Sequence, residues 1–310
     1  MGKIIINGHM YGDHGEPTVV YVSERAIGDE DGRIITEDYL RASVMFDPNK
    51  IIEIEEQPNA GFHNSFYRGK DITSKITDGS IWTAISSGAY TDLFVGDYFT
   101  VNDHKYIIAG FNLFYNNGDT AFTDQHIVCL PCPNEYERLP DQYENKAMKS
   151  TDSTVGGCAS VLSSLMSPIN SVLTTDFGSH LCSHRELLSS AIEASVPNGP
   201  NPSLTGASSN WSWQSVQATL MTELEITGTT LMTSSGYDVG TGKTQLPLFM
   251  FDRKIYCYTS MWTRSVASST EFVAIYNRAN PFSEDASHRW IDGQAVRAGM
   301  YLVPRFCLKG

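Results

Sequence analysis

The chain has 310 residues, enough to bury a large core as one big domain or two smaller ones. Only 18% of the residues are charged, with Ser, Thr, Asn and Gly filling the gap, and the net charge is −13. An acidic chain without a Lys/Arg cluster argues against nucleic acid or an anionic membrane as partner. No run reaches membrane-spanning length, and six cysteines in so long a chain do not make a disulfide framework.

The opening stretch MGKIIINGHMYGDHG has too short an apolar run for a secretory leader, so synthesis in a cytoplasm is expected. Residues 1–60 read as isolated short strands, KIIING, EPTVVYVSE and the alternating NKIIEIEEQ, around an acidic, turn-rich GDEDGRIITEDYL. They have little room for a private core and predict a β-rich attachment or oligomerisation region. The Pro, Gly and Asn punctuation of QPNAGFHNSFYRG, 57–69, marks the boundary to a main domain over 61–310.

Within that domain Ser80 is placed to cap a short helix, IWTAISSG, that ends at Gly88. DLFVGDYFTVNDHKYIIAGFNLF reads as a hairpin turning at Asn-Asp-His, and QHIVCLP as a further strand. Residues 134–155 read as loop. Val161, Leu162, Leu165, Met166 and Ile169 predict a helix kinked at Pro168. In SHRELLSSAIEAS, Ser183 and Glu186 form a capping-box pattern ahead of Leu187, Leu188, Ala191 and Ile192, which predicts another helix. A long loop follows at 196–210. Trp211 and Trp213 share one face if NWSWQ is extended, and read as core. SSGYDVGTGKTQLP, 234–247, ends like a phosphate-binding loop, but Gly236 stands one residue too early and Pro247 follows closely. The stretch therefore reads as a glycine-rich turn before a buried strand, Leu246 to Phe251. Four strand candidates then lead to GMYLVPRFCL.

The ending carries the most specific pattern. MWTRSVASSTEFVAIYN, 261–277, followed by QAVRAGMYLVPRFCL, 294–308, resembles phage-encoded structural proteins that end in Trp-x-Arg-Ser, a variable polar loop and a Val-x-Pro-x-Phe strand. It is similar to the ending of phage tropism-determinant and other receptor-binding proteins. DGSIWTAISSGAYTDLFVGDYFTV, YIIAGFN, FGSHL, MTELEITG and SSGYDVGTGKTQLPLF resemble blocks of the same family in the same order, so the likeness spans about residues 66–308. The resemblance implies an α+β chain whose C-type-lectin-like domain has short strands, two helices and long loops. It also implies a phage virion structural protein, a homotrimer or other symmetric oligomer, displayed on the particle as a tail fibre, tail tip or head fibre. Residues 1–60 would join other virion proteins, and the lectin-like face would meet a host cell-surface glycan or protein. The alternative is an architectural capsid-decoration or tail-completion protein.

By the same resemblance 277–294 is the displayed face, with Asn277, Arg278, Asn280, Phe282, His288, Arg289 and Trp290 as candidate ligand contacts. Rings give rigid contact area and amides adaptable hydrogen bonds, which suits a saccharide. An exposed loop with Trp290 packed beneath it is the competing reading. Trp262 and Phe306 are core candidates on facing terminal strands. Arg264 and Arg305, on the same strands, read either as ligand clamps or as partners of buried carboxylates or carbonyls that lock the sheet.

Metal and enzyme signals are weak. The calcium motifs of lectins with this fold, Glu-Pro-Asn and Trp-Asn-Asp, do not occur, and Glu284 with Asp285 does not make an all-oxygen site. Cys129 and Cys132 form a C-x-x-C with no second pair and read as small half-buried side chains. A related fold houses an enzyme that oxidises cysteine through a copper-bound cysteine pair, but Cys257 and Cys307 stand alone in their strands. His180, Cys182 and His184 would share a strand face as a soft-metal cluster, which is lost if Ser183 caps a helix. No G-x-S-x-G elbow or setting for paired carboxylates is present. The expectation is a non-enzymatic chain with no catalytic residue, metal or cofactor.

Overall fold

The computed structural model describes residues 4–6, 9–11, 56–132, 147–150, 157–189, 211–233, 244–251, 260–267, 270–276, 280–285 and 300–310. Near the start, β1 (Ile4–Ile6) and β2 (His9–Tyr11) pair antiparallel, with Ile5 opposite Met10. The strand expected at 16–24, and all of the one expected at 49–57 except its last two residues, lie outside the described residues. Within the stretch read as a boundary lies α1 (Ala60–His63), whose N-cap Asn59 accepts the Phe62 N–H at 2.9 Å. His63 is buried among the rings of Tyr90, Phe94 and Phe111. Asn64 bonds both the N–H and the carbonyl of Phe111. These contacts tie residues 60–64 to the main body.

Next come α2 (Thr73–Thr77) and α3 (Ser80–Ser86). The cap expected of Ser80 is made before it: Asp78 Oδ1 accepts the Ser80 N–H at 2.8 Å, and Gly79 holds the N-cap position at a φ of 77°. That left-handed conformation suits glycine.

Five strands form the central sheet: β3 (Tyr98–Val101), β4 (His104–Phe111), β5 (His126–Pro131), β8 (Ala218–Leu220) and β13 (Pro304–Lys309). Their order is β3-β4-β5-β13-β8, antiparallel throughout. Asn102 and Asp103, both at positive φ, make the two-residue turn that matches the twist of β3 and β4. Every residue of β5 is buried, which is why HIVCLP shows no alternation.

The long helix α4 (Gly157–Phe177) runs through Pro168 without interruption, so the expected kink does not break it. Leu162, Met166, Ile169, Leu173 and Phe177 recur at helical spacing and are all buried. The Phe177 ring packs among Phe99, Tyr106 and Phe306 of the sheet.

Beyond α4, β6 (His184–Ser189) pairs antiparallel with β7 (Trp211–Val216). A second sheet has the order β11-β10-β9-β12, built from β9 (Ser260–Val266), β10 (Glu271–Tyr276), β11 (Asn280–Asp285) and β12 (Met300–Leu302), with β12 parallel to β9. Two short helices, α5 (Glu223–Thr227) and α6 (Pro247–Phe251), and a 3-10 turn over Gly178–His180 complete the described elements. Helices and largely antiparallel sheets together make this an α+β architecture.

Three local expectations are corrected. The capped helix expected at Ser183 is strand β6. His184, Glu186 and Leu188 are buried while Arg185 and Leu187 are half-exposed, a period of two that the adjacent leucines disguise. The strand expected from Leu246 to Phe251 is helix α6. Pro247 takes the first helical position, where a missing N–H costs nothing, and an apolar run alone does not separate a buried strand from a short helix. Trp262 and Phe306 are both fully buried but do not face each other across one sheet. Trp262 is on β9 in the four-stranded sheet and Phe306 on β13 in the five-stranded one, and the chain crosses between them at buried Val303.

Candidate functional site

The residues that carry the terminal pattern meet in one buried ion cluster. Arg305 on β13 grips Glu186 of β6 with two parallel bonds, 2.5 and 2.8 Å, and its Nε lies 2.7 Å from Glu225 Oε1 of α5. Arg264 on β9 places Nη2 3.2 Å from Glu186 Oε2. The His184 ring lies 2.6 Å from Glu186 Oε1 and stacks on Phe114, over which the Arg305 guanidinium also sits. The Glu225 and Arg264 contacts are ion pairs by distance rather than well-aligned hydrogen bonds.

Among the described residues two guanidiniums face two carboxylates, all at most 1% exposed, so their charges offset each other where water cannot reach. Burial alone would raise the Glu186 carboxyl, but Arg305 and Arg264, helped by His184, hold it well below the usual carboxylate range. Burial works against the Arg305 charge too, yet Glu186 and Glu225 raise its pKa above the ordinary arginine value. Of the two readings of these arginines, the geometry matches the lock: both sheets, β6 and α5 are joined at this point.

Two acidic residues of MTELEITG carry roles that the sequence alone leaves unassigned. Thr222 and Glu225 form a reciprocal capping box, with bonds of 2.7 and 3.1 Å. The T-x-x-E spacing is the signal for it. Glu223, fully buried, accepts the backbone N–H groups of Leu231, Met232 and Thr233. It thereby fixes the turn that leads into the glycine-rich stretch.

The face expected at 277–294 is seen only in part. Asn277, Arg278, His288, Arg289 and Trp290 lie outside the described residues. Asn280 and Phe282, expected in a loop, belong to strand β11, opposite Tyr276 and Ala274 of β10. Asn, Pro, Ser and Asp in NPFSED signal a turn, but pairing to the well-buried β10 overrides that preference, and proline is tolerated on an edge strand.

The row His180, Cys182 and His184 is not brought together. His180 stacks on Trp82 at 3.8 Å and donates Nδ1–H to the Lys309 carbonyl, while His184 belongs to the ion cluster. Among the described residues no group of three His, Cys, Asp or Glu could hold a metal ion. Cys129 and Cys132 are buried rather than half-buried, because β5 is covered on both faces. Cys307 is not isolated either: Cys182 N–H donates to its carbonyl at 2.9 Å, and Cys129 is on the adjoining strand. Burial pushes the Cys129 and Cys307 thiols well above the usual range and Cys182 up to about 12, so these free thiols stay protonated and poorly nucleophilic. Trp213 is half-buried on β7, and Cys257 and the side chain of Trp211 lie outside the description.

A groove of about 750 Å³ opens between α4, the β6–β7 pair and β8. Leu162, Met166 and Leu188 give it an apolar floor, and Ser163, Ser167, Asn170 and Thr174 line one side from α4. Gln214, Ser215 and Gln217 line the other, and among the described residues no ionisable side chain contributes. Thr219 is 1% exposed, and its hydroxyl meets no partner; nor does the buried carboxamide oxygen of Asn170. Thr219 stands opposite Arg305 in the sheet, so the ion cluster underpins the groove. Sequence reasoning missed this site. Its signal was a polar row on α4 at helical spacing beside the buried row. No protein-family model, curated protein or solved structure matches the chain.

Proposed function

We propose that the chain is a structural protein of a bacteriophage particle, with a C-type-lectin-like domain that recognises the host cell surface without catalysis. The observation that carries this reading is the groove: about 750 Å³, furnished among the described residues with hydroxyl and amide groups and no ionisable side chain. Such a site suits binding of a neutral surface. The sequence blocks from IWTAISSG to VPRF add support through their resemblance to phage variable proteins. Copies on one particle, as a homotrimer or other symmetric oligomer, turn weak single contacts into avidity. The test is binding of the labelled, purified chain to cells that the particle infects. Saturable binding that also slows particle adsorption is the expected result. No binding and undisturbed adsorption would defeat the reading.

One observation favours the architectural alternative. Leu231 and Met250 are 66% and 61% exposed, and apolar side chains held so openly suit a contact with another virion protein. In that case the chain stays with purified particles and leaves host cells unbound.

A further inference from the structure

We propose that the groove between α4 and the β6–β7 pair is the recognition site itself, and that its ligand is a neutral saccharide unit of one or two rings. This rests on the recognition reading above and deepens it. Three features carry it. First, the lining holds unmet polar demand: the Thr219 hydroxyl and the Asn170 carboxamide oxygen are buried without partners. Buried polar groups are nearly always bonded, and a bound hydroxyl can both donate and accept. Second, the lining is chemically selective. Ser163, Ser167, Gln214 and Gln217 present neutral donors and acceptors above apolar Met166 and Leu188, which suits hydroxyls on one side of a sugar ring and C–H groups on the other. An anionic ligand would lose hydration and find no cation among the described lining residues. Third, the walls are fixed beforehand. Asp176, near the end of α4, accepts hydrogen bonds from Asn102, His104 and Tyr106 of the β3–β4 hairpin, while Thr219 is paired in the central sheet. Little ordering is left for the ligand to impose. The volume falls in the small-molecule range of about 300–1,000 Å³.

The test follows the methyl resonances of Met166 and Leu188 by NMR in the full chain. Glucose, galactose and N-acetylglucosamine are added in turn, with N-acetylneuraminic acid as the anionic control. The expected result is a saturable shift of both methyls with at least one neutral sugar at millimolar concentration, and none with the anionic sugar. Thr219→Val keeps the shape but removes the hydroxyl and weakens binding by about tenfold. Ser167→Ala, on an exposed helix position, weakens it without touching the core. Unmoved methyls up to about 100 mM of every neutral sugar, shifts that never saturate, equal response to the anionic sugar, or full affinity in Thr219→Val would each overturn the assignment. Shifts caused only by other virion proteins would replace the sugar with a protein segment. If sugars fail while the chain still binds host cells, the saccharide groove falls and the recognition reading stands. If sugars bind a chain that ignores cells, the groove stands as a sugar site and the recognition reading falls.

Discussion

His126 makes the fold sensitive to acid in a calculable way. It opens β5 with its ring fully buried. Phe114 N–H donates to Nε2 at 3.2 Å, and Nδ1–H donates to the Asp124 carbonyl at 2.9 Å. Both nitrogens are thus in use by the neutral ring, and a second proton has to displace the Phe114 amide. Burial is the main cause that lowers the pKa from 6.5 to about 4; the Asp124 carbonyl opposes the shift, and nearby His184 adds to it. The folded value lies below the unfolded one, so the contribution to stability is complete above pH 6.5 and is lost as pH falls through 4. The gap between 6.5 and about 4, at about 1.4 kcal/mol per pH unit, comes to about 3.5 kcal/mol. The assay is urea unfolding at several pH values across that window, together with the His126 ring resonances in the folded chain. Carboxylates such as Glu186 weaken the fold in acid with the same sign, so the resonances isolate the histidine's share. A ring that titrates near 6.5 in the folded protein would refute the reasoning.

Three more outcomes are expected. Glu186→Gln leaves two buried guanidiniums with a single carboxylate and should cost about 3–5 kcal/mol in urea unfolding; a loss below about 1 kcal/mol would remove the cluster as the lock between the sheets. Gly96→Ala puts a Cβ 2.4 Å from the Tyr67 ring at a φ of 87°, and should lower thermal stability by at least about 1 kcal/mol. Met250→Ser should change stability by less than about 0.5 kcal/mol; a fall in incorporation into particles without a fall in stability would favour the architectural reading.

Local chemistry in the sequence identifies the elements whose cause is local. Asn102 and Asp103 make the β3–β4 turn because both tolerate positive φ, and α4 follows from apolar residues at helical spacing. Strand β6 is disguised because Ser183 and Glu186 fit a capping box. The Glu186 carboxylate instead serves Arg305, 119 residues away, and no local pattern reports such a partner. Edge strand β11 is hidden for a similar reason, since its turn-forming residues are overruled by β10. For the site, the arginines are visible as candidates in the sequence but their carboxylates are not. The groove is invisible there because it exists only where α4 meets β6, β7 and β8, although its polar row on α4 is legible.

The place of β13 between β5 and β8 sets a timetable for synthesis. On the ribosome, β3, β4 and β5 emerge early and can zip together, but the open edge of β5 waits for residues 304–309. Until then β8 has no neighbour in that sheet, and Glu186 and Glu225 lack Arg305. A nascent chain stalled short of that strand therefore carries two sticky borders and unneutralised interior acids. It is prey for chaperones, or for edge-to-edge aggregation with its polysome neighbours. Closure of the central sheet and neutralisation of the buried acids thus arrive together, in a single step of synthesis.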